Sequence, residues 1–175
     1  MSTGNTEGTV ERPTESVTLT VNGEEVSREV EPRLKLSDFL REECGLHGVR
    51  VGCEHGVCGA CTVLMEGDAV KSCLQYAVQA DGLEIETVEG LATDGELHPV
   101  QAAFHEEHAL QCGFCTSGFV MASVELLREN PEPSREEVKT GLADNICRCT
   151  GYHSIYRAVE RAAADLDASA AEGDG

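Results

Sequence analysis

Basic residues are scarce in this chain. Its 175 residues include 13 lysines and arginines against 32 aspartates and glutamates, a formal net charge of -19. Only Lys35, Lys71 and Lys139 are lysines. Nucleic acid is recognised through a basic footprint that neutralises phosphates, so this composition speaks against such a partner. Long apolar runs are missing too, and none approaches the ~18 residues of a membrane span. The first residues, Met1 to Gly8, have neither the basic nor the apolar region of a secretory signal. The expectation is a soluble, cytoplasmic protein.

The acidic surplus has two readings. One is a halophilic surface, adapted to high salt where repulsion among carboxylates is screened. The other is an ordinary acidic protein kept soluble by its charge. Disorder through the middle of the chain is argued against by a hydrophobic content of 41%.

What is abundant is cysteine, nine in all. In a reducing compartment cysteines are ligands more often than disulfides, and an odd number leaves one over under either scheme. Cys53, Cys58 and Cys61 are spaced C-x4-C-x2-C, and Cys73 follows. The first three match the plant-type [2Fe-2S] spacing. Four thiolates converging on a compact inorganic core need a loop wrapped closely round it. Gly52, Gly56 and Gly59 are placed to supply positive φ and close backbone approach, with amides turned toward the sulfurs. A zinc site of four thiolates uses the same ligand type. Spacing and glycine density favour iron–sulfur.

Around this loop the chain divides. Residues 1–15 read as a disordered acidic tail. Val17, Leu19 and Val21 alternate with Thr18 and Thr20 as a half-buried strand, and Asn22-Gly23 turns it into a second strand, Glu25 to Val30. Ser37 or Asp38 is placed to cap a short helix through Phe39, Leu40 and Cys44, stopped by Gly45. Thr62 to Met65, Ala69 to Lys71 and Leu83 to Val88 read as further strands. Residues 16–90 therefore suggest a small α+β unit whose thin core a metal would staple. From 91 to 166 four helices follow: His98–Ala109, Gly118–Leu127, one opened by a Ser134/Glu137 capping box, and Tyr152–Leu166. An acidic tail, 167–175, closes the chain.

The second cysteine set lies in this helical half. Cys112 and Cys115 precede the second helix, and Cys147 and Cys149 precede the last. Loops at one end of antiparallel neighbours can meet, so the four thiolates can form one site. By itself this set fits zinc as well as iron. Two complete sets of four, with Cys44 left over, form a stronger joint signal.

Three motifs in order, Gly-Cys53-Glu-His-Gly-Val-Cys58-Gly-Ala-Cys61-Thr-Val, Gln111-Cys112-Gly-Phe-Cys115-Thr and Cys147-Arg-Cys149-Thr-Gly-Tyr152, carry a resemblance. From about Ser16 to Leu166 the chain resembles the iron–sulfur small subunit of the molybdenum hydroxylase (xanthine oxidase) family. That family includes aerobic carbon monoxide dehydrogenases, aldehyde oxidoreductases and isoquinoline-type dehydrogenases. The resemblance implies an N-terminal β-grasp, ferredoxin-like domain holding one [2Fe-2S] cluster on Cys53, Cys58, Cys61 and Cys73. It implies a C-terminal four-helix bundle holding another on Cys112, Cys115, Cys147 and Cys149. It implies electron transfer from molybdopterin in a large subunit, through both clusters, to FAD in a medium subunit, in a dimer of heterotrimers. Gln111 and Cys149 would lie beside the pterin. A stand-alone ferredoxin and a zinc-binding interaction module are the alternatives. The family usually has proline where this chain has Ser117, and a serine or threonine cap would serve the same helix start.

The remaining candidates have plainer readings. Cys44 reads as a small buried residue. His55 reads as a solvated loop residue, although Cys53-Glu-His55 superficially resembles half of a Rieske site. His105 and His108 read as surface residues. Arg148 would offset cluster charge or pair with one of the many carboxylates. No catalytic nucleophile or acid–base pair is evident, so the chemistry is assigned to a partner and its cofactors.

Overall fold

The computed structural model describes residues 12–173. Residues 1–11 of the expected tail lie outside the described residues, as do 174–175. Strand β1, Glu15–Val21, buries Val17, Leu19 and Val21 on one face, as the alternation requires. Strand β2, Glu24–Val30, returns antiparallel with Val21 opposite Glu24. Asn22 and Gly23, at φ 52° and 81°, form the tight turn between them. Strands β3, Thr62–Met65, and β4, Asp68–Lys71, make a second hairpin. Strand β5, Glu84–Glu86, lies between the hairpins, parallel to β1 and antiparallel to β3, giving the order β2-β1-β5-β3-β4.

A helical turn, α1 (Leu36–Asp38), runs on as a wider π turn, Phe39–Glu43, across this sheet. Leu36, Phe39 and Leu40 are fully buried against Val17, Leu19, Val63 and Ile85. The expected Ser37 or Asp38 cap is absent. Winding starts after Lys35, with no side-chain cap, because burial of Leu36 draws the chain onto the sheet before Ser37 is reached. Strand β5 is also shorter than the expected Leu83 to Val88. The Asn22 side chain accepts from the Thr87 N–H at 2.8 Å and donates to Thr87 Oγ1 at 3.0 Å. Those bonds take Thr87 out of the ladder.

Four helices follow: α2 (Pro99–Glu106), α3 (Thr116–Glu129), α4 (Arg135–Gly141) and α5 (His153–Gly173). The capping box is formed, with Ser134 Oγ accepting from the Glu137 N–H. Ile155, Ala158, Val159 and Ala162 are all fully buried on α5. That helix continues seven residues beyond the expected end at Leu166. Asp167 to Glu172 is rich in alanine and contains neither glycine nor proline to stop it. Helix α2 instead stops three residues before Ala109: His108 takes φ 50° and the Ala109 N–H closes on Phe104 O.

Sheet and helices share one boundary. Leu64 of β3 is buried among the helical residues, and Arg128 of α3 forks onto both carboxylate oxygens of Glu86 at 3.0 and 3.2 Å. No helix among the described residues is long and apolar enough to cross a membrane.

Nine of the thirteen basic residues already sit in ion pairs, leaving most carboxylates among the described residues without a cation at salt-bridge distance. Their repulsion reaches ~10 Å at 0.1 M salt and ~3 Å at 1 M. If the surface is a high-salt adaptation, the melting temperature should rise as sodium chloride goes from 0.1 to about 2 M. A maximum in dilute buffer would leave only the ordinary acidic reading.

Candidate metal centres

The first site is built on the segment leaving Phe39–Glu43. Gly56 and Gly59 hold φ of 76° and 70°, the region in which a Cβ is strained. Glu54 also takes positive φ, at 55°. Gly52 does not, contrary to expectation, and its requirement is space. A Cβ there would lie 3.1 Å from Phe114 Cε1 and 3.3 Å from Cys58 Sγ. The wrapping aims donors at sulfur: the N–H groups of His55 and Cys58 both lie 3.4 Å from Cys53 Sγ. These bonds bring the Cys53 thiol down to about 6. Burial, with Cys61 alongside, pushes Cys73 up to about 11.

The second site joins the loop before α3 to the loop before α5. Cys112 and Cys149 are exposed and their sulfurs lie 3.6 Å apart. Cys147 is buried and Cys115 half-buried, and burial with the Cys147 side chain alongside pushes Cys115 up to about 12. Burial also acts to raise Cys147. Bonds from the Thr150 hydroxyl and amide outweigh it and leave that thiol below its ordinary value.

The Cys112 and Cys149 sulfurs stand side by side, and a neighbouring thiol bears on the titration of three more: Cys58 on Cys53, Cys61 on Cys73 and Cys147 on Cys115. A [2Fe-2S] group takes two protein ligands on each of two irons, and this donor set fits it. One tetrahedral zinc would draw four thiolates to a single point. Among the described residues no three or more ligating side chains are gathered closely enough to hold one ion, so the cysteines assigned from spacing meet by twos and not by fours, and Cys44 stands apart, half-buried against the sheet core.

Other expected residues divide. Gln111 is exposed at the edge of the second site, beside Cys112 and in the same loop. His55, His105 and His108 are exposed, as expected. Arg148 is exposed and forms no ion pair among the described residues. Ser117 does not cap α3. The helix begins after Cys115, two residues earlier than expected, which puts the Thr116 and Ser117 hydroxyls inside its first turn, buried and without a hydrogen-bond partner.

Several residues escaped the sequence reading. Buried Asn145 donates to Gly59 O at 2.9 Å, and the Ile146 N–H donates to Cys58 O at 3.0 Å, so the two cysteine loops touch. Tyr152 OH accepts from the Cys147 N–H at 3.1 Å. The Cys147-to-Tyr152 string, with a hydroxyl and a glycine just after the last ligand, was the available signal for a tight, sulfur-facing turn.

A family model described as a 2Fe-2S iron-sulfur cluster binding domain matches residues 19–92, and one described as a [2Fe-2S] binding domain matches residues 87–160. The small subunit of nicotine 6-hydroxylase from Paenarthrobacter nicotinovorans is 54% identical over 143 residues, covering 82% of this chain and 86% of that one. The gamma subunit of caffeine dehydrogenase from Pseudomonas sp. (strain CBB1) is 50% identical over 147 residues, covering 82% and 88%. A chain of quinoline 2-oxidoreductase from Pseudomonas putida 86 superposes with a TM-score of 0.86 at 47% identity, over 89% of this chain and 97% of that chain. With two [2Fe-2S]-binding regions and relatives of this closeness over most of its length, the chain belongs to the iron–sulfur small subunits of the molybdenum hydroxylase family.

Proposed function

We propose that this chain passes electrons from a molybdopterin site in a large subunit, through its two [2Fe-2S] sites, to FAD in a medium subunit. The observation that carries the reading is the contact between the two cysteine loops. The Ile146 N–H, one residue before Cys147, bonds to the carbonyl of Cys58. Ligands of both sites are thus joined through one hydrogen bond and a short covalent path, within a single packed unit.

The arrangement proposed is a β-grasp, ferredoxin-like domain over 16–90 and a four-helix domain over 91–166, working in the cytoplasm within a dimer of heterotrimers. Iron held by the eight cysteines supplies one-electron redox chemistry. The chain's own residues hold the thiols, limit solvent at Cys61, Cys73 and Cys147, and leave Cys112, Cys149 and Gln111 exposed as a face for the large subunit. Relatives include hydroxylases and dehydrogenases named for nicotine and caffeine, and an aldehyde oxidoreductase. Selection among such substrates is assigned to the large subunit.

The order of carriers is testable in the assembled complex. Gln111→Leu removes an amide that would bond a polar pterin edge, yet ligates no iron. Both sites should keep their iron while their reduction by substrate slows. Cys58→Ser should leave the second site reducible by substrate and stop electrons from reaching FAD. Rapid-mixing spectroscopy separates the cases, and normal FAD reduction in a Cys58→Ser complex lacking first-site iron would reverse the assignment.

A further inference from the structure

We propose that the hydroxyl of Thr150 sets the reduction potential of the second site through the Cys147 sulfur, an inference that rests on the iron–sulfur reading of that site. Thr150 Oγ1 lies 3.1 Å from Cys147 Sγ. The Tyr152 N–H donates to the same oxygen at 3.2 Å, which occupies the hydroxyl as an acceptor and turns its proton toward sulfur. The Thr150 N–H adds a second donor at 3.4 Å, and Tyr152 OH takes the Cys147 N–H. The turn Cys147 to Tyr152 is thus closed on itself around one sulfur.

Two features make this hydroxyl different from the other donors. Elsewhere the hydrogen-bonded sulfur is served by backbone N–H groups, those of His55 and Cys58 on Cys53. Among the described residues, Thr150 supplies the one side-chain hydroxyl bonded to any of the eight. Its acceptor is also buried, Cys147 being 6% exposed within the helical core. A donor to sulfur favours the form with more negative charge, which is the reduced one, and screening by water is weakest at a buried atom.

Removing the hydroxyl should therefore lower the potential of the second site and leave the first alone. The test compares the iron-loaded full chain with Thr150→Val, Thr150→Ala and Thr150→Ser, each titrated anaerobically with dithionite and followed by EPR. Thr150→Val keeps the shape and the backbone donor. It should shift the second signal's equilibrium toward oxidised by roughly tenfold, which for one electron is about 59 mV. Thr150→Ala should shift it the same way, and Thr150→Ser should restore the parent value. The proposal is overturned if the second signal titrates unchanged in Thr150→Val and Thr150→Ala, if both signals shift together, or if serine fails to restore the value. It is overturned equally if valine and alanine lose the second signal while serine keeps it, since the hydroxyl would then hold the site and not tune it. Failure of the underlying reading looks different: the parent chain itself would show no second iron–sulfur signal.

Discussion

Cys58→Ser should strip iron from the first site alone, Cys147→Ser from the second alone, and Cys44→Ala from neither. The physical reason is the division of the thiols. Cys58 stands beside Cys53 and Cys147 beside Cys115, with no cysteine shared between the sites. A serine hydroxyl stays protonated near neutral pH, whereas the thiolate is the metal ligand, so one substitution removes one corner of one group. Cys44 touches the sheet core and burial raises its thiol, as for a packed residue. Iron and sulfide analysis would read the losses, and EPR of the reduced chain would show which of two distinct signals each variant keeps. The signals should differ because one site has a buried and an exposed half and the sulfur donors are not alike. Native zinc, or loss of all iron from either serine variant, would contradict two independent sites.

Gly118→Ala should be strongly destabilising, although alanine is the better helix former by about 1 kcal/mol. Gly118 lies in the first turn of α3, where a Cβ would fall 2.1 Å from Gly59 O and 3.0 Å from Asn145 Nδ2. The obstacle is backbone from the first cysteine loop, and that loop is tied down by the Asn145 bond to Gly59 O and the Ile146 bond to Cys58 O. Gly59 is equally confined, since a Cβ there would meet Asp144 O and the Asn145 amide. Overpacking of this kind costs about 1–3 kcal/mol, and the Asn145 bond to Gly59 would be strained as well. A fall of several degrees in melting temperature is expected. Gly141→Ala is the control, because its Cβ would meet only the movable end of Leu126 at 2.9 Å. The magnetic interaction between the two reduced sites should weaken in Gly118→Ala as the loops are pushed apart. A melting temperature at or above the parent's would show that propensity wins and that the contact is loose.

Both expectations reach back to the sequence in different ways. The eight candidate ligands could be picked out because spacing within each loop, C-x4-C-x2-C and C-x2-C, is a local pattern. The hairpin at Asn22-Gly23, the capping box at Ser134 and the buried stripe of α5 were legible for the same reason. Each depends on neighbours within a turn or two. Apart from the positive φ expected at Gly52, readings that failed were those at element ends. Ser37 lost its place as a cap to the burial of Leu36, β5 was cut short by the distant Asn22 side chain, and α3 began early enough to enclose Ser117.

By itself, then, the sequence determined the candidate cysteine sets, two of the three glycines that let one loop wrap, and the succession of strands and helices. Only the tertiary structure decided which thiols stand side by side, which half of the second site is open, and that the two loops meet. Asn145 and Gly59 are 86 residues apart and Arg128 and Glu86 are 42 apart. No local pattern encodes such contacts, because they arise only when sheet and helices pack along a shared boundary that brings distant polar groups within reach. The same holds for Thr150. Its motif places a hydroxyl near a ligand, but burial of Cys147 by the helical core is what gives that hydroxyl leverage on a charge.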